Sequence, residues 1–263
     1  MSEYKKVLDL AIGLGKDNAI ELAKAILDYY SVNLKGSEYI DELIEIAIEF
    51  EKKGDFDKAI DLYNKAEKRA KIFDDKKGLS SVYGNIGVVY SNLKDYNKAI
   101  EFYEKAIKIA KDNNDYQEVG ILYNNIGFAY KSIMKYKEAT QCYFKSLENL
   151  RKVDDKLSMS ATYFNLADVY SKVEDFESAI EFIDEAIKLD KVINKDALRT
   201  DLKYRDSLEK KLIKLTGKNK PLEINLEEDE NKKLLEDDED NNNKDNNSKK
   251  SKFGLNWLWK KKY

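Results

Sequence analysis

Aromatic residues return at a fixed step of 40 along much of this chain. Phe56, Tyr96, Tyr136 and Phe176 form one such series, and Phe50, Tyr90, Tyr130 and Tyr170 form another. Small residues keep the same step, as in Ala59, Ala99, Ala139 and Ala179, and in Ala47, Gly87, Gly127 and Ala167. A period of this size marks a repeat array, because each unit is one supersecondary element that cannot bury its apolar face alone. Stacked neighbours then share a continuous core. Such arrays present long surfaces to partners, so the repeat points to binding.

The spacing inside one unit predicts two helices. Tyr83, Ile86, Gly87 and Tyr90, and then Ala99, Tyr103 and Ala106, are separated by steps of three and four. These steps place apolar residues on one face of a helix. Gly or Ala at the crossing lets two backbones approach, with aromatics filling the space beside them. Between the helices lie Lys53-Gly54-Asp55, Leu93-Lys94-Asp95 and Val173-Glu174-Asp175, each ending in a helix-starting residue. Asp74-Asp75, Asn114-Asp115 and Asp154-Asp155, with Asn194 one step further, predict the turns between units.

This pattern resembles the tetratricopeptide repeat. The family's unit has a large aromatic, leucine and glycine three and four residues on, a tyrosine, and then alanine, an aromatic and alanine on a second helix. Beside the unit at Tyr83, the next gives Tyr123, Ile126, Gly127, Tyr130, Ala139, Tyr143 and Ser146. The one after gives Tyr163, Leu166, Ala167, Tyr170, Ala179, Ile183 and Ala186, and the first is looser, with Leu43, Ile46, Ala47, Phe50, Ala59, Tyr63 and Ala66. The resemblance covers residues 38 to 192 and implies an all-α fold, a right-handed superhelical solenoid of antiparallel helix pairs. The common unit has ~34 residues; the added length here falls around the unit-to-unit turn, so helices about a turn longer are expected. The proline often found at the end of the unit is missing, and Pro221 lies beyond the array. Units this long look like those of Pins-type spindle-orientation adaptors, kinesin light chains and bacterial peptide-sensing regulators.

Composition narrows the function classes. Acids and bases are interleaved to a net charge of −3, without the basic stripe of a nucleic-acid binder. The chain has no histidine, which removes the usual near-neutral base, the Ser-His and Cys-His pairs and imidazole metal sites. Cys142 stands where other units have Leu62, Phe102 and Phe182, so it reads as a small buried apolar residue. Gly13-Leu14-Gly15-Lys16 lacks the spacing of a phosphate loop. The chain is therefore read as no enzyme, with no catalytic residue, cofactor or metal. A single cysteine fits a reducing cytoplasm. Val7 to Leu14, interrupted by Asp9, is too short for a signal peptide, and no stretch reaches the ~20 apolar residues of a membrane span.

The two ends are read separately. Residues 1–36 keep the step weakly, through Val7, Leu10, Ala19 and Ile26, as a degenerate repeat or cap; a DNA-binding helix-turn-helix is the competing reading. Residues 37–193 form four units, and 194–217, with Leu198, Leu202, Leu208 and Leu212, form a capping helix. Residues 218–263 are expected to be disordered, because 223–240 carry ten acids against Lys232 and Lys233 and 241–247 are polar. The tail ends in a basic aromatic motif, Phe253, Leu255, Trp257, Leu258 and Trp259, flanked by lysines. Three readings of residues 249–263 stay open: docking on the chain's own array, contact with a partner, and weak attachment to a membrane surface.

The resemblance also implies which residues bind. In this family the first helix of each unit lines the concave surface. Two positions after the aromatic stand Asn85, Asn125 and Asn165, and asparagines there contact the bound peptide in Pins-type proteins and kinesin light chains. A carboxamide both donates and accepts, so it can pair with any peptide backbone; equally, it can bond to neighbouring helices. The first unit breaks this ladder with Glu45. Ile48, Val88, Phe128 and Asp168 follow on the same helices, and then Asn92, Ser132 and Lys172. The lysine and asparagine of the family's chaperone-tail clamp are missing, since their places hold Gly84 with Val88, Asn124 with Phe128, and Phe164 with Asp168. The expected function is a non-catalytic adaptor or scaffold that holds a protein or peptide ligand in the groove. The rival readings are a peptide-sensing regulator and a protein tethered to a membrane surface by its tail.

Overall fold

The computed structural model describes residues 37–217; the expected N-terminal cap and the tail, with its aromatic motif, lie outside them. The described residues hold nine helices and no strand. They are α1 (Ser37–Lys52), α2 (Phe56–Ile72), α3 (Lys76–Asn92), α4 (Tyr96–Asp112), α5 (Tyr116–Ser132), α6 (Tyr136–Lys152), α7 (Lys156–Lys172), α8 (Phe176–Ile193) and α9 (Lys195–Thr216).

One turn geometry joins these helices at every step from α1 to α8. Gly54, Asp74, Lys94, Asn114, Met134, Asp154 and Glu174 all have positive φ, between 50° and 80°. In each turn the next N–H donates to the carbonyl five residues back, as from Asp55 to Phe50 and from Lys135 to Tyr130, both at 2.9 Å. This left-handed closure satisfies carbonyls that a helix end leaves open. The residue that follows then caps the next helix. Asp115 Oδ1 accepts from the Glu118 N–H at 2.9 Å, Asp155 from Ser158 and Asp175 from Ser178, each at 3.1 Å. Lys135 is the exception and offers α6 no side-chain cap. The backbone thus repeats every 20 residues, although the sequence repeats every 40. Turns within and between units are equally long, so the extra residues of these units lie in the helices, which have 17 residues each from α2 to α7.

The described residues divide into two compact units, with the boundary inside α3 after Leu79. The first holds α1, α2 and the opening turn of α3. Its core is built from Ile40, Leu43, Ile44, Ala47, Tyr63 and Ala66, all buried. Asp75 caps Gly78 at 2.8 Å, and a Cβ on Gly78 would meet Ile40 Cγ2 at 3.0 Å. The second unit runs from Ser80 through α9. In it α5 packs on α6, α6 on α7, α7 on α8, and α8 on α9. Gly87 lies under the Tyr103 ring and Gly127 under the Tyr143 ring, while Gly120 faces Leu150. Phe102 stacks on Tyr90, with centroids 5.5 Å apart, and leans on Tyr83 at 6.1 Å. The side of α3 bearing Tyr83, Gly87 and Tyr90 therefore packs on α4. Ser80 Oγ lies 3.1 Å from Ala106 O and 2.9 Å from Glu118 Oε1, tying α3 to α4 and α5.

Candidate functional site

Asn85, Val88 and Asn92 lie about half a helical turn from the side of α3 that packs on α4, since each residue advances roughly 100°. The same positions on α5 are Asn125, Phe128 and Ser132, and on α7 they are Asn165, Asp168 and Lys172. This second stripe, in the second unit, carries all the expected binding residues except Ile48, which is buried in the first unit.

The three asparagines are buried, with only 1–3% of their surface exposed, and each has a different environment. Asn85 Nδ2 donates to Ser81 O at 2.9 Å, one turn back in its own helix. Asn165 Nδ2 donates across to Asn124 Oδ1 at 3.2 Å, and Asn165 Oδ1 lies 3.4 Å from Lys131 Nζ. Asn125 Nδ2 is buried and, among the described residues, has no acceptor; the same is true of Asn124 Nδ2. Val88 is buried, Phe128 is half-buried, and Asn92 and Lys172 are exposed at the end of the stripe.

Beside the asparagines stands a cluster that the spacing alone does not disclose. Lys131 Nζ donates to Asp168 Oδ2 at 2.8 Å, joining α5 to α7. Tyr204 OH, on α9, donates to Asp168 Oδ1 at 3.4 Å, and its ring packs 5.2 Å from that of Phe164. Lys131 also lies over the Phe128 ring, 5.2 Å from its centroid. Burial pushes the Lys131 ammonium below the usual lysine range; the Asp168 carboxylate opposes that shift, and Lys172 adds to it. Burial likewise raises the Tyr204 phenol to about 12, so it remains a donor. A departure from the repeat marks both charged partners. Glu51, Ser91 and Ser171 occupy the place of Lys131 in other units, and Ile48, Val88 and Phe128 occupy the place of Asp168.

Cys142 packs in the core of the second unit, and burial lifts its thiol to about 11. Among the described residues, no group of three or more His, Cys, Asp or Glu side chains could hold a metal ion, and no helix is long and apolar enough to cross a membrane.

The sequence matches the tetratricopeptide repeat family over residues 43–112 and 118–191, more than half of the chain. The chain is a tetratricopeptide repeat protein. Solved structures share its fold. BtubC (BKLC) from P. vanneervenii is 22% identical and superposes with a TM-score of 0.64, over 81% of this chain and 85% of that one. A putative kinesin light chain with nearly identical TPR-like repeats, from Podosopora anserina, is 15% identical, with a TM-score of 0.56, over 74% of this chain and all of that one. A Rap protein complexed with competence and sporulation factor is 15% identical, with a TM-score of 0.59, over 89% of this chain and 61% of that one. Among curated proteins, none matches the sequence. The tetratricopeptide fold so established is an all-α solenoid of helix pairs with units of about 40 residues. It is typically non-catalytic.

Proposed function

We propose that this tetratricopeptide protein is a non-catalytic adaptor that holds an extended peptide or helix along the second stripe of α3, α5 and α7. Residues 37–193 would then form four repeat units, three of which supply the stripe, with α9 capping the last one. One observation carries this reading. Among the described residues, Asn125 on α5 keeps an amide donor buried without an acceptor, and Asn124 beside it does the same. A buried donor left unmade costs ~1–3 kcal/mol, and a ligand carbonyl placed there would relieve it. Half-buried Phe128, three residues further along its helix, would contact the ligand's side chains, and the buried Val88 would support the face from within. Asn92 and Lys172, at the exposed end, would meet its polar groups. Asn165 already bonds to Asn124 and Lys131, so it would hold the face in register as well as touch the ligand.

The Rap protein that shares this fold was solved with competence and sporulation factor bound, which supports a protein or peptide partner here. The interior of the cell, reducing for Cys142, is the compartment consistent with this role.

The test is affinity capture with mass spectrometry, comparing wild type with Asn125→Ala. That substitution removes no hydrogen bond made by the Asn125 amide donor, so the helix content and melting midpoint of the variant should match wild type. A partner held by wild type and lost from Asn125→Ala is the expected result. A partner retained equally by both would overturn the assignment of this face.

A further inference from the structure

We infer that two copies of this chain pair edge to edge through the turns that follow α3, α5 and α7. The copies run antiparallel about a two-fold axis at Met134, so that Lys94 of each meets the partner's Glu174. This goes beyond the ligand face proposed above and does not depend on it.

Helices that alternate in direction put every second turn on the same edge of a stack. In the second unit that edge carries the turns after α3, α5 and α7. Each ends its helix on an apolar side chain: Leu93, Ile133 and Val173. Leu93 and Val173 are 47% and 50% exposed. Tyr96, Tyr136 and Phe176, all half-buried, open the helices that follow. The edge is therefore apolar three turns running, and it is open to water.

The next residue in each turn stands in the left-handed region, Lys94 at φ 63°, Met134 at 61° and Glu174 at 63°. A shared backbone conformation sends the three side chains off the edge in a common direction, one repeat apart. The row reads cation, apolar, anion. Met134 is 76% exposed, whereas Gly54, Asp74, Asn114 and Asp154 hold the place in the other turns between α1 and α8. A side chain other than Gly or Asn is uncommon in this region, and an apolar one in water does nothing for a single copy.

The pattern is self-complementary, as a two-fold contact requires. A half-turn about Met134 sets Lys94 opposite the partner's Glu174 at both ends of the row. It also sets Leu93 opposite the partner's Val173 and brings the two Met134 side chains together. Parallel pairing would instead oppose like charges. Nearby charges are engaged locally. Lys98 pairs with Asp95 at 3.4 Å, and Asp175 accepts from the Ser178 N–H at 3.1 Å and from its hydroxyl at 2.8 Å. Lys135 lies over the Tyr130 ring, 6.0 Å from its centroid. Among the described residues, Lys94 and Glu174 make no ion pair. Three turns make a small interface, so the association is weak and depends on concentration.

The test is sedimentation velocity of the full chain over a concentration series reaching ~1 mM. The expected result is a monomer that passes to a dimer as concentration rises, less readily in high salt. Lys94→Glu and Glu174→Lys should each raise the dimer dissociation constant more than ~10-fold, at unchanged helix content. Equal amounts of these two variants should associate on mixing, because each supplies the charges that the other lacks. The double reversal, Lys94→Glu with Glu174→Lys, should dimerise as wild type does, and Met134→Asp should not. A wild type that stays monomeric throughout would overturn the inference. So would a dimer that survives both single reversals, or one that neither mixing nor the double reversal restores. None of these outcomes alters the reading of partner capture by wild type and Asn125→Ala.

Discussion

Tyr143 covers the place where a side chain on Gly127 would begin: a Cβ built there would lie 2.6 Å from the ring carbon Cε1. Gly87 and Tyr103 repeat the relationship at 2.5 Å. The contact is with a ring held in a close-packed core, so the neighbour cannot yield cheaply. Gly127→Ala should therefore destabilise the chain by about 1–3 kcal/mol, read as a lower urea midpoint. Tyr143→Phe should not relieve it, because the clash involves the ring. By itself Tyr143→Phe should be neutral or slightly stabilising, since the Tyr143 hydroxyl is buried with no partner among the described residues.

Lys135 occupies the one turn, of those joining α1 to α8, whose capping place is basic. Asp55, Asp75, Asp95, Asp115, Asp155 and Asp175 fill it elsewhere. Lys135→Asp should supply the missing cap, worth ~1 kcal/mol. It gives up a contact over the Tyr130 ring at 6.0 Å, worth ~0.5 kcal/mol at an exposed site. A small rise in the thermal midpoint is expected. A fall would mean that the turn does not accept the carboxylate geometry its siblings use.

Asp168 neutralises a lysine that is largely withdrawn from water. Asp168→Asn leaves the Lys131 charge buried without its carboxylate and should cost about 3 kcal/mol. The double change Lys131→Met with Asp168→Leu removes both charges and should recover most of that loss. Chemical unfolding of the single and double variants, compared as a cycle, measures the coupling directly.

Glu42, on α1, should make the first unit sensitive to pH. Its carboxyl is pushed up to about 7, first by burial and then by Glu45, Glu38 and Asp41. The fold thus favours the protonated form relative to an unfolded chain that titrates near 4.5. The stability it contributes is fully present below pH 4.5 and is lost as pH rises through 7. The opening free energy of α1 and α2, taken from amide exchange corrected for its intrinsic pH dependence, should fall across that window, and Glu42→Gln should flatten the fall. A dependence unchanged in the variant would assign it to another group.

Much of the architecture was legible in the sequence because packing inside a helix pair is local. Gly87 and Tyr103, or Gly127 and Tyr143, stand 16 residues apart, and the same pattern in successive units names them together. The aspartate caps were legible for the same reason, since each acts three residues ahead. The single geometry shared by all seven turns was not legible, because backbone hydrogen bonds and positive φ impose it on residues as unlike as Gly54, Lys94 and Met134.

The sequence by itself determined the repeat, the helix pairs and the stripe on which the asparagines stand. Only the tertiary structure decided what each asparagine does there. Asn85 bonds within its own helix, Asn165 reaches Asn124 and Lys131, and the amide of Asn125 meets no acceptor among the described residues. Three residues equivalent in the repeat differ because Asn165 alone finds its partners across helices, in the preceding unit 34 to 41 positions back. There single departures from the pattern, Lys131 and Asp168 above all, set which polar groups are paired and which are left over.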